Sequence, residues 1–336
     1  MNILVTGGAG FIGSHLCQRL LTLGHAITIV DNFNDFYDPT LKRRNISEIQ
    51  GTSSSLGGKL LLQEGDIRDL SFLESVFREG EPEAVIHLAA MAGVRPSIER
   101  PALYAEVNLG GTLNLLEASR SAGVRRFLFA SSSSVYGNNP KVPFAESDPV
   151  DTPISPYAAT KKGGELLCHS WHHLYGISVA CLRFFTVYGP RQRPDLAINK
   201  FARMISSGKS LPIYGDGSSS RDYTYIDDIV QGVVKALEWT SDPYPKFDIF
   251  NLGGSHPVTL QRLVEMLEQA LGLPARREEF PMQAGDVERT YADLTKSSAI
   301  LGYEPATSIE EGIARFVTWF RESREKRGGT TPCLPI

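Results

Sequence analysis

The chain has 336 residues, 42% of them hydrophobic, enough to bury a full core and to form two domains. Its 34 basic and 38 acidic residues leave a formal charge of -4, which provides no basic field for nucleic acid or an acidic membrane. Cys17, Cys168, Cys181 and Cys333 have neither metal-ligand nor disulfide-framework spacing, and no apolar run approaches the roughly 20 residues that span a bilayer. With an apolar strand starting at Asn2 there is no room for a signal peptide, so the expectation is a soluble cytoplasmic protein without a metal site.

Asn2–Thr6 is a short branched apolar run, the pattern of a strand buried on both faces. It enters a cluster of glycines, Gly7, Gly8, Gly10 and Gly13, after which Leu16, Leu20, Leu21 and Leu23 recur at helical spacing. Strand, glycine turn and helix make a nucleotide-binding opening. Gly7 permits the turn, Gly10 lets the backbone approach a pyrophosphate, and Gly13 lets helix and strand pack closely. The helix N-terminus then directs free N–H groups at phosphates. The spacing is G-x-x-G-x-x-G, which taken alone also suits a flexible turn. A second apolar run, 26–30, ends in Asp31, near the distance of about 20 residues expected for an acid that binds the adenosine ribose. A carboxylate there favours NAD over NADP, because it repels a 2′-phosphate.

Residues 32–55 read as a polar and aromatic loop with one short helix over 41–49. A strand is expected at 59–63, followed by Asp66 and Ile67 where a doubly wound fold places an adenine contact. Next come a helix at 71–78, a strand at 84–89, a long helix at 101–122, a strand at 126–130, a helix at 157–175 and a strand at Ser178–Phe184. This alternation predicts an α/β fold with a Rossmann-type doubly wound parallel sheet. After Phe185 the prolines 190, 194 and 212 and the cluster at 215–220 break the rhythm. Helices are expected at 197–207, 227–239, 259–271 and 309–324, and residues 249–252 are apolar enough to rejoin the first sheet. The expected division is a nucleotide-binding domain over 1–184 with return segments near 222–252, a smaller mixed α/β substrate domain over 185–327, and a tail over 328–336.

Tyr157 and Lys161 stand four apart on an expected helix and so share a face. A cation beside the phenol favours phenolate and lowers its pKa towards working pH. The same spacing also arises as an exposed tyrosine beside a solvated lysine; the glycine turn upstream favours the catalytic reading. Ser131, Ser132, Ser133 and Ser134 follow a buried strand and fall at the carboxyl end of the sheet, where ligands bind in open α/β folds. One of these hydroxyls is placed to share a hydrogen bond with Tyr157 and a reacting hydroxyl; a serine-rich helix cap is the alternative.

From residue 1 to about 320 the sequence resembles the extended short-chain dehydrogenase/reductase superfamily and, within it, the NAD-dependent nucleotide-sugar epimerases and dehydratases. The motifs are Thr6 to Gly13, Asp31-Asn32, Asp66-Ile67, His87 to Ala90, Asn108, Ser131 to Gly137, Tyr157 to Lys161 and Arg221-Asp222-Tyr223. The resemblance implies NAD held by Gly7, Gly10, Phe11, Ile12, Gly13, Asp31, Asn32, Asp66, Ile67, Leu88, Ala89, Ala90, Asn108, Tyr157, Lys161 and Phe184. It implies Ser132 as the catalytic hydroxyl, Tyr157 as base and Lys161 as its electrostatic partner, with Asn108 supporting the active-site helix. Relatives are often dimers through two helices of the nucleotide domain, here 101–122 and 157–175, so a homodimer is expected.

Related 4,6-dehydratases carry Asp-Glu directly after the catalytic hydroxyl, and related UDP-glucuronate decarboxylases carry a glutamate there. This chain has Ser133 and Ser134. Without a carboxyl group beside the sugar, elimination and decarboxylation lose their proton-transfer partner, and C4 oxidation followed by reduction on the opposite face remains. Residues 183–190 and Arg193-Pro-Asp195 are similar to UDP-glucuronate 4-epimerases, as are 31–39 and 282–286; UDP-galactose 4-epimerases usually have asparagine where Thr186 stands. The reaction this implies is UDP-glucuronate to UDP-galacturonate. A UDP-glucose or UDP-N-acetylglucosamine 4-epimerase is the alternative, since Thr290 is small where hexose epimerases have a large residue near C2. An NAD-sensing binding protein is an alternative of another class, and the Tyr157–Lys161 pair argues against it. Implied substrate contacts are Ser132, Ser133, Ser134, Tyr157, Thr186 and Arg193 at the sugar, and Asn199, Arg221 and Asp286 at the nucleotide. Arg95 is placed for phosphate or carboxylate, or equally for a structural salt bridge.

Overall fold

The computed structural model describes residues 1–281 and 287–325. The chain starts with Asn2–Thr6 (β1), Phe11–Thr22 (α1), Ala26–Asp31 (β2), Pro39–Leu56 (α2), Leu60–Glu64 (β3), Leu70–Gly80 (α3) and Ala84–His87 (β4). Helices Val94–Glu99 (α4), Pro101–Ala105 (α5) and Gly111–Ser121 (α6) follow, the last two joined by a π turn at Glu106–Gly110. Arg126–Ser132 (β5), Pro156–Tyr175 (α7) and Ser178–Phe184 (β6) carry Ser132, the Tyr157–Lys161 pair and Phe184. The remainder is Thr186–Tyr188 (β7), Ala197–Ser206 (α8), Ser210–Tyr214 (β8), Ser220–Tyr225 (β9), Ile226–Trp239 (α9), Phe247–Leu252 (β10), Pro257–Thr259 (β11), Leu260–Leu271 (α10), Arg276–Phe280 (β12), Thr295–Leu301 (α11) and Ile309–Glu325 (α12).

Seven parallel strands form one sheet in the order β10-β6-β5-β4-β1-β2-β3. Chain order reverses between β1 and β4, the switch point at whose carboxyl ends doubly wound folds bind ligands. Side chains alternate between two cores, as a sheet covered on both faces requires. Ile3 and Val5 enter one apolar cluster, with α1, α2 and α9, whereas Leu4 enters the other, with α3, α6 and α7. The later segment adds a three-stranded sheet, β11-β9-β7, and a parallel pair, β12-β8.

Two elements differ from the sequence reading. The expected short helix at 41–49 is an 18-residue helix, α2. Asp38 caps it by accepting from the Thr40 N–H at 2.9 Å, Pro39 suits its first position, and Gly57 closes it at φ 64°. The serines at 53–55 look loop-forming, yet Ser53 lies on the buried stripe with Lys42, Asn45, Ile46 and Ile49. The expected helix over 101–122 is interrupted by the π turn, which rotates Asn108 inward. The tail at 328–336 lies outside the described residues.

Two histidines, buried His87 and half-buried His15, are held neutral. His87 bridges Thr6 Oγ1 at 2.7 Å and Thr112 Oγ1 at 2.9 Å. Thr112 spends its own proton on Asn108 O, so His87 Nε2 carries the hydrogen and Nδ1 accepts from Thr6. Burial holds the His87 pKa at about 3; burial and the Arg191 charge hold His15 at about 4. Both are therefore largely unprotonated in the fold from pH 6.5 down to about 5, while the unfolded chain protonates them from about 6.5 downward. Unfolding takes up protons in that window, so stability falls as pH decreases. Asp222, its pKa raised by burial to about 6, releases a proton on unfolding in the same window and offsets part of this uptake. Melting temperature is expected to be lower at pH 5.5 than at pH 7.5, with a net proton uptake below two per molecule; a flat profile contradicts this.

Candidate active site

The carboxyl ends of β1, β2, β4, β5 and β6 open into a cavity of about 390 Å³. The glycine turn forms its floor. Gly7 has φ 71°, and a Cβ there would stand 2.8 Å from Ala89 N. A Cβ on Gly13 would stand 2.2 Å from Gly7 O, so only glycine lets α1 rest against the turn. Gly13→Ala is expected to destabilise by at least about 1–3 kcal/mol and to abolish NAD retention; a variant that melts and retains NAD like the parent contradicts this. Gly10 caps α1 without a side-chain bond, which leaves the first-turn N–H groups of Phe11, Ile12 and Gly13 facing the cavity. Asn45, buried in α2, donates to Ala9 O at 2.9 Å and braces the turn from behind.

At the end of β2, Asp31 accepts from Ala9 N at 3.1 Å and Phe33 N at 2.9 Å, one bond on each oxygen. Each oxygen keeps acceptor capacity at the cavity wall, which fits a ribose diol. Burial raises its pKa, opposed by the Lys42 charge and these two N–H groups. Asn32 donates to Asp66 at 3.1 Å, and Arg68 hydrogen bonds hold the Asp66 pKa down at about 2. Ile67, Leu88, Ala89 and Ala90 complete an apolar slot, and Phe184 closes the far side. Glycine cradle, free helix N-terminus, acceptor carboxylate and slot together match the donor and acceptor set of NAD.

Tyr157 lies on α7 at the other end of the cavity, packed edge-to-face on Tyr104 at 6.3 Å. Ser132 ends β5, and its hydroxyl meets both Ser134 Oγ at 3.1 Å and the Tyr157 phenol. Lys161 Nζ donates to Ala130 O at 2.8 Å and lies 5.9 Å from the Tyr157 ring centroid. The expected lowering of the tyrosine pKa is not what the chain by itself produces. Burial raises it; the Ser132 hydroxyl and the Arg193 charge offset part of the rise. Lys161 instead loses its proton more readily, its pKa lowered to about 8 by burial. Arg193, held by Asp195 through contacts of 3.0 and 2.7 Å, is the cation the sequence reading had assigned only to the substrate.

Ser133, Ser134, Thr186 and Arg193 line the same end. Four other expected site residues stand outside the described lining of this cavity. Asn108 does not line the cavity: its amide accepts from Met91 N at 2.8 Å and donates to Met91 O at 3.0 Å and Thr160 Oγ1 at 3.1 Å, so it ties α7 to the strand β4 loop. Asn199 bonds Gln192 and faces a separate cavity. Arg221 turns to Ser220 O and Glu288 O, away from the lining. Arg95 stacks over Tyr214 at 5.2 Å rather than entering the cavity. Thr290 is buried and accepts from Asp222 N at 3.0 Å. Asp286 and the motif at 282–286 lie outside the described residues. Asn34, Phe36, Tyr37 and Lys42 also line the cavity, though no motif marks them; the aromatic loop at 32–39, wrapped back by α2, puts them there.

The family described as GDP-mannose 4,6 dehydratase matches residues 4–316. The chain belongs to this family. The UDP-glucuronate 4-epimerase of Thermodesulfobacterium geofontis is 44% identical over 324 residues, 96% of this chain and 97% of that protein. The UDP-glucuronic acid 4-epimerase from Bacillus cereus, solved in complex with UDP-glucuronic acid and NAD, superposes with a TM-score of 0.88 at 36% identity, covering 96% of this chain and 100% of that one. The Thermotoga maritima UDP-glucose 4-epimerase, solved with UDP-glucose, gives 0.86 at 35% identity, covering 96% and 99%. Against the family's name, the described lining of the cavity holds just two carboxylates, Asp31 and Asp66, both at the β2–β3 end and away from Ser132 and Tyr157.

Proposed function

We propose that the chain is an NAD-dependent isomerase that epimerises UDP-glucuronate at C4 to UDP-galacturonate. The observation that carries this reading is the Ser132-Ser133-Ser134 run beside Tyr157 and Arg193, with no described carboxylate at that end of the cavity. A dehydratase or decarboxylase needs an acid or base there; three hydroxyls and a guanidinium instead suit an anionic C6 carboxylate. Hydrogen bonds to a charged group contribute roughly 1.5–3 kcal/mol each, so two or three set the selectivity.

The glycine turn, Asp31 and Asp66 would hold the cofactor, with Phe184 packed at the far side. When bound, oxidised NAD supplies the hydride acceptor for C4 and a positive charge that favours the Tyr157 phenolate. Tyr157 Oη takes the proton of the C4 hydroxyl and later returns it. Ser132 Oγ holds that hydroxyl and the phenol in one hydrogen-bonded line. The 4-keto sugar rotates about its diphosphate tether between the two transfers. A 4-keto uronate is a β-keto acid, and Ser133, Ser134, Thr186 and Arg193 keep its carboxylate out of alignment with the carbonyl, which suppresses loss of carbon dioxide.

Nuclear magnetic resonance of purified protein with UDP-glucuronate is expected to show UDP-galacturonate without net NADH. A product that is mainly UDP-pentose would overturn the carboxylate-retention argument. Faster turnover of UDP-glucose or UDP-N-acetylglucosamine would favour the hexose reading. No helix of the described residues is long and apolar enough to cross a membrane. Our reading extends to a cytoplasmic homodimer joined through α6 and α7, whose Leu113, Leu166 and Leu174 are exposed; light scattering tests the dimer.

A further inference from the structure

Beside the reaction cavity lies a second one of about 150 Å³, walled by α2, the loop at 191–194, α8 and the end of α12. Tyr37 and Arg193 belong to the walls of both. Five arginines line it, Arg44, Arg191, Arg193, Arg203 and Arg324, against one carboxylate, Glu48. Glu48 pairs with Arg191, and Arg193 is held by Asp195. Arg44, Arg203 and Arg324 have no carboxylate partner among the described residues, Arg324 lying over the Phe320 ring at 5.6 Å.

A second observation is independent of this charge count. Arg191 Nη1 is buried and has no hydrogen-bond partner among the described residues. Arg191 sits at φ 63°, and the loop that aims it is fixed: buried Gln192 donates to Val187 O at 3.1 Å and accepts from Asn199 N at 3.1 Å. A protein interior rarely leaves a guanidinium N–H without an acceptor. Guanidiniums that line one cavity with few counter-charges repel one another, and an anion among them relieves that repulsion.

We propose that this second cavity is a binding site for a small polyanion of the phosphate class, separate from the reaction cavity. Arginine's planar fork matches phosphate oxygens in pairs, and several convergent forks select a multiply charged group over a monovalent one. The volume is below that of cavities that bury a drug-sized ligand, so it suits one or two phosphoryl groups rather than a whole nucleotide sugar. Ser207, Ser323 and the Tyr37 phenol add neutral donors at the walls. The site does not depend on which sugar the enzyme turns over.

The test uses the NAD-loaded protein saturated with UDP, so that the nucleotide-sugar site is blocked. Inorganic phosphate and pyrophosphate are titrated separately by calorimetry, against sodium chloride of equal ionic strength. Saturable binding of at least one of them at one site per chain is expected; the stronger of the two tells a single phosphoryl group from a diphosphate. The double variant Arg203→Gln with Arg324→Gln, at exposed helical positions outside the reaction cavity, is expected to bind at least tenfold more weakly while its melting temperature without anion and its epimerase activity stay unchanged. Arg44→Gln alone gives a second, independent reading of the same loss. Heats no different from those of chloride, or equal affinity in parent and variants, would overturn the proposal.

Discussion

Tyr157→Phe is expected to lower epimerisation by about 10²–10⁴-fold, the range that a positioned general acid–base supplies. The change deletes one oxygen and leaves the ring against Tyr104, so fold and NAD retention should persist. Ser132→Ala is the milder companion, because it removes a hydrogen bond to the phenol and keeps the base itself. The structure sharpens what the tyrosine requires. Burial raises its pKa in the chain alone, and the nearest relief comes from Ser132 and Arg193 rather than from Lys161. A Tyr157→Phe variant as active as the parent, measured on purified protein with bound NAD quantified, would remove the phenol from the mechanism.

The second large effect lies beneath the site. Arg183 and Glu165 are each about 1% exposed and form a two-pronged pair at 2.8 and 2.9 Å, and Ser131 donates to the same glutamate at 2.7 Å. This pair joins β6, α7 and the end of β5, the three elements that carry Phe184, Tyr157 and Ser132. Arg183→Met leaves the buried Glu165 carboxylate with only Ser131 and a long Lys162 contact at 3.5 Å, and is expected to cost about 3 kcal/mol in denaturant unfolding. Adding Glu165→Leu should restore most of that loss, because the stranded charge, rather than the absent bond, causes it. A single variant within about 1 kcal/mol of the parent, or a double variant no better than the single, would contradict this.

The parallel sheet was readable because each strand is a short apolar run ended by glycine or a polar turn, and burial on both faces leaves no other use for such a run. Gly7, Gly10, Gly13, Asp31, Tyr157 and Lys161 were readable as walls of one cavity because their spacing puts them at the carboxyl end of the sheet. What stayed hidden depends on contacts far apart in the chain. Asn108 reads in sequence both as a cofactor contact and as a support of the active-site helix; a π turn, Met91 and Thr160 give it bonds of the second kind. Nothing local marks Lys42 or Tyr37 as cavity residues until α2 folds back over β2. Asn199 and Arg221 were assigned by resemblance, and their backbones turn them elsewhere. Arg183 does carry a local signal: a lone cation in an otherwise apolar buried strand needs a buried partner.

The central claim is that one carbon gives up its hydrogen and receives the same hydrogen back on its other face. UDP-glucuronate carrying deuterium at C4 tests it directly, in ordinary water, with the product followed by nuclear magnetic resonance. Full retention of deuterium at C4 of UDP-galacturonate is the expected result. Replacement of that deuterium by solvent hydrogen in the first turnovers would contradict the account.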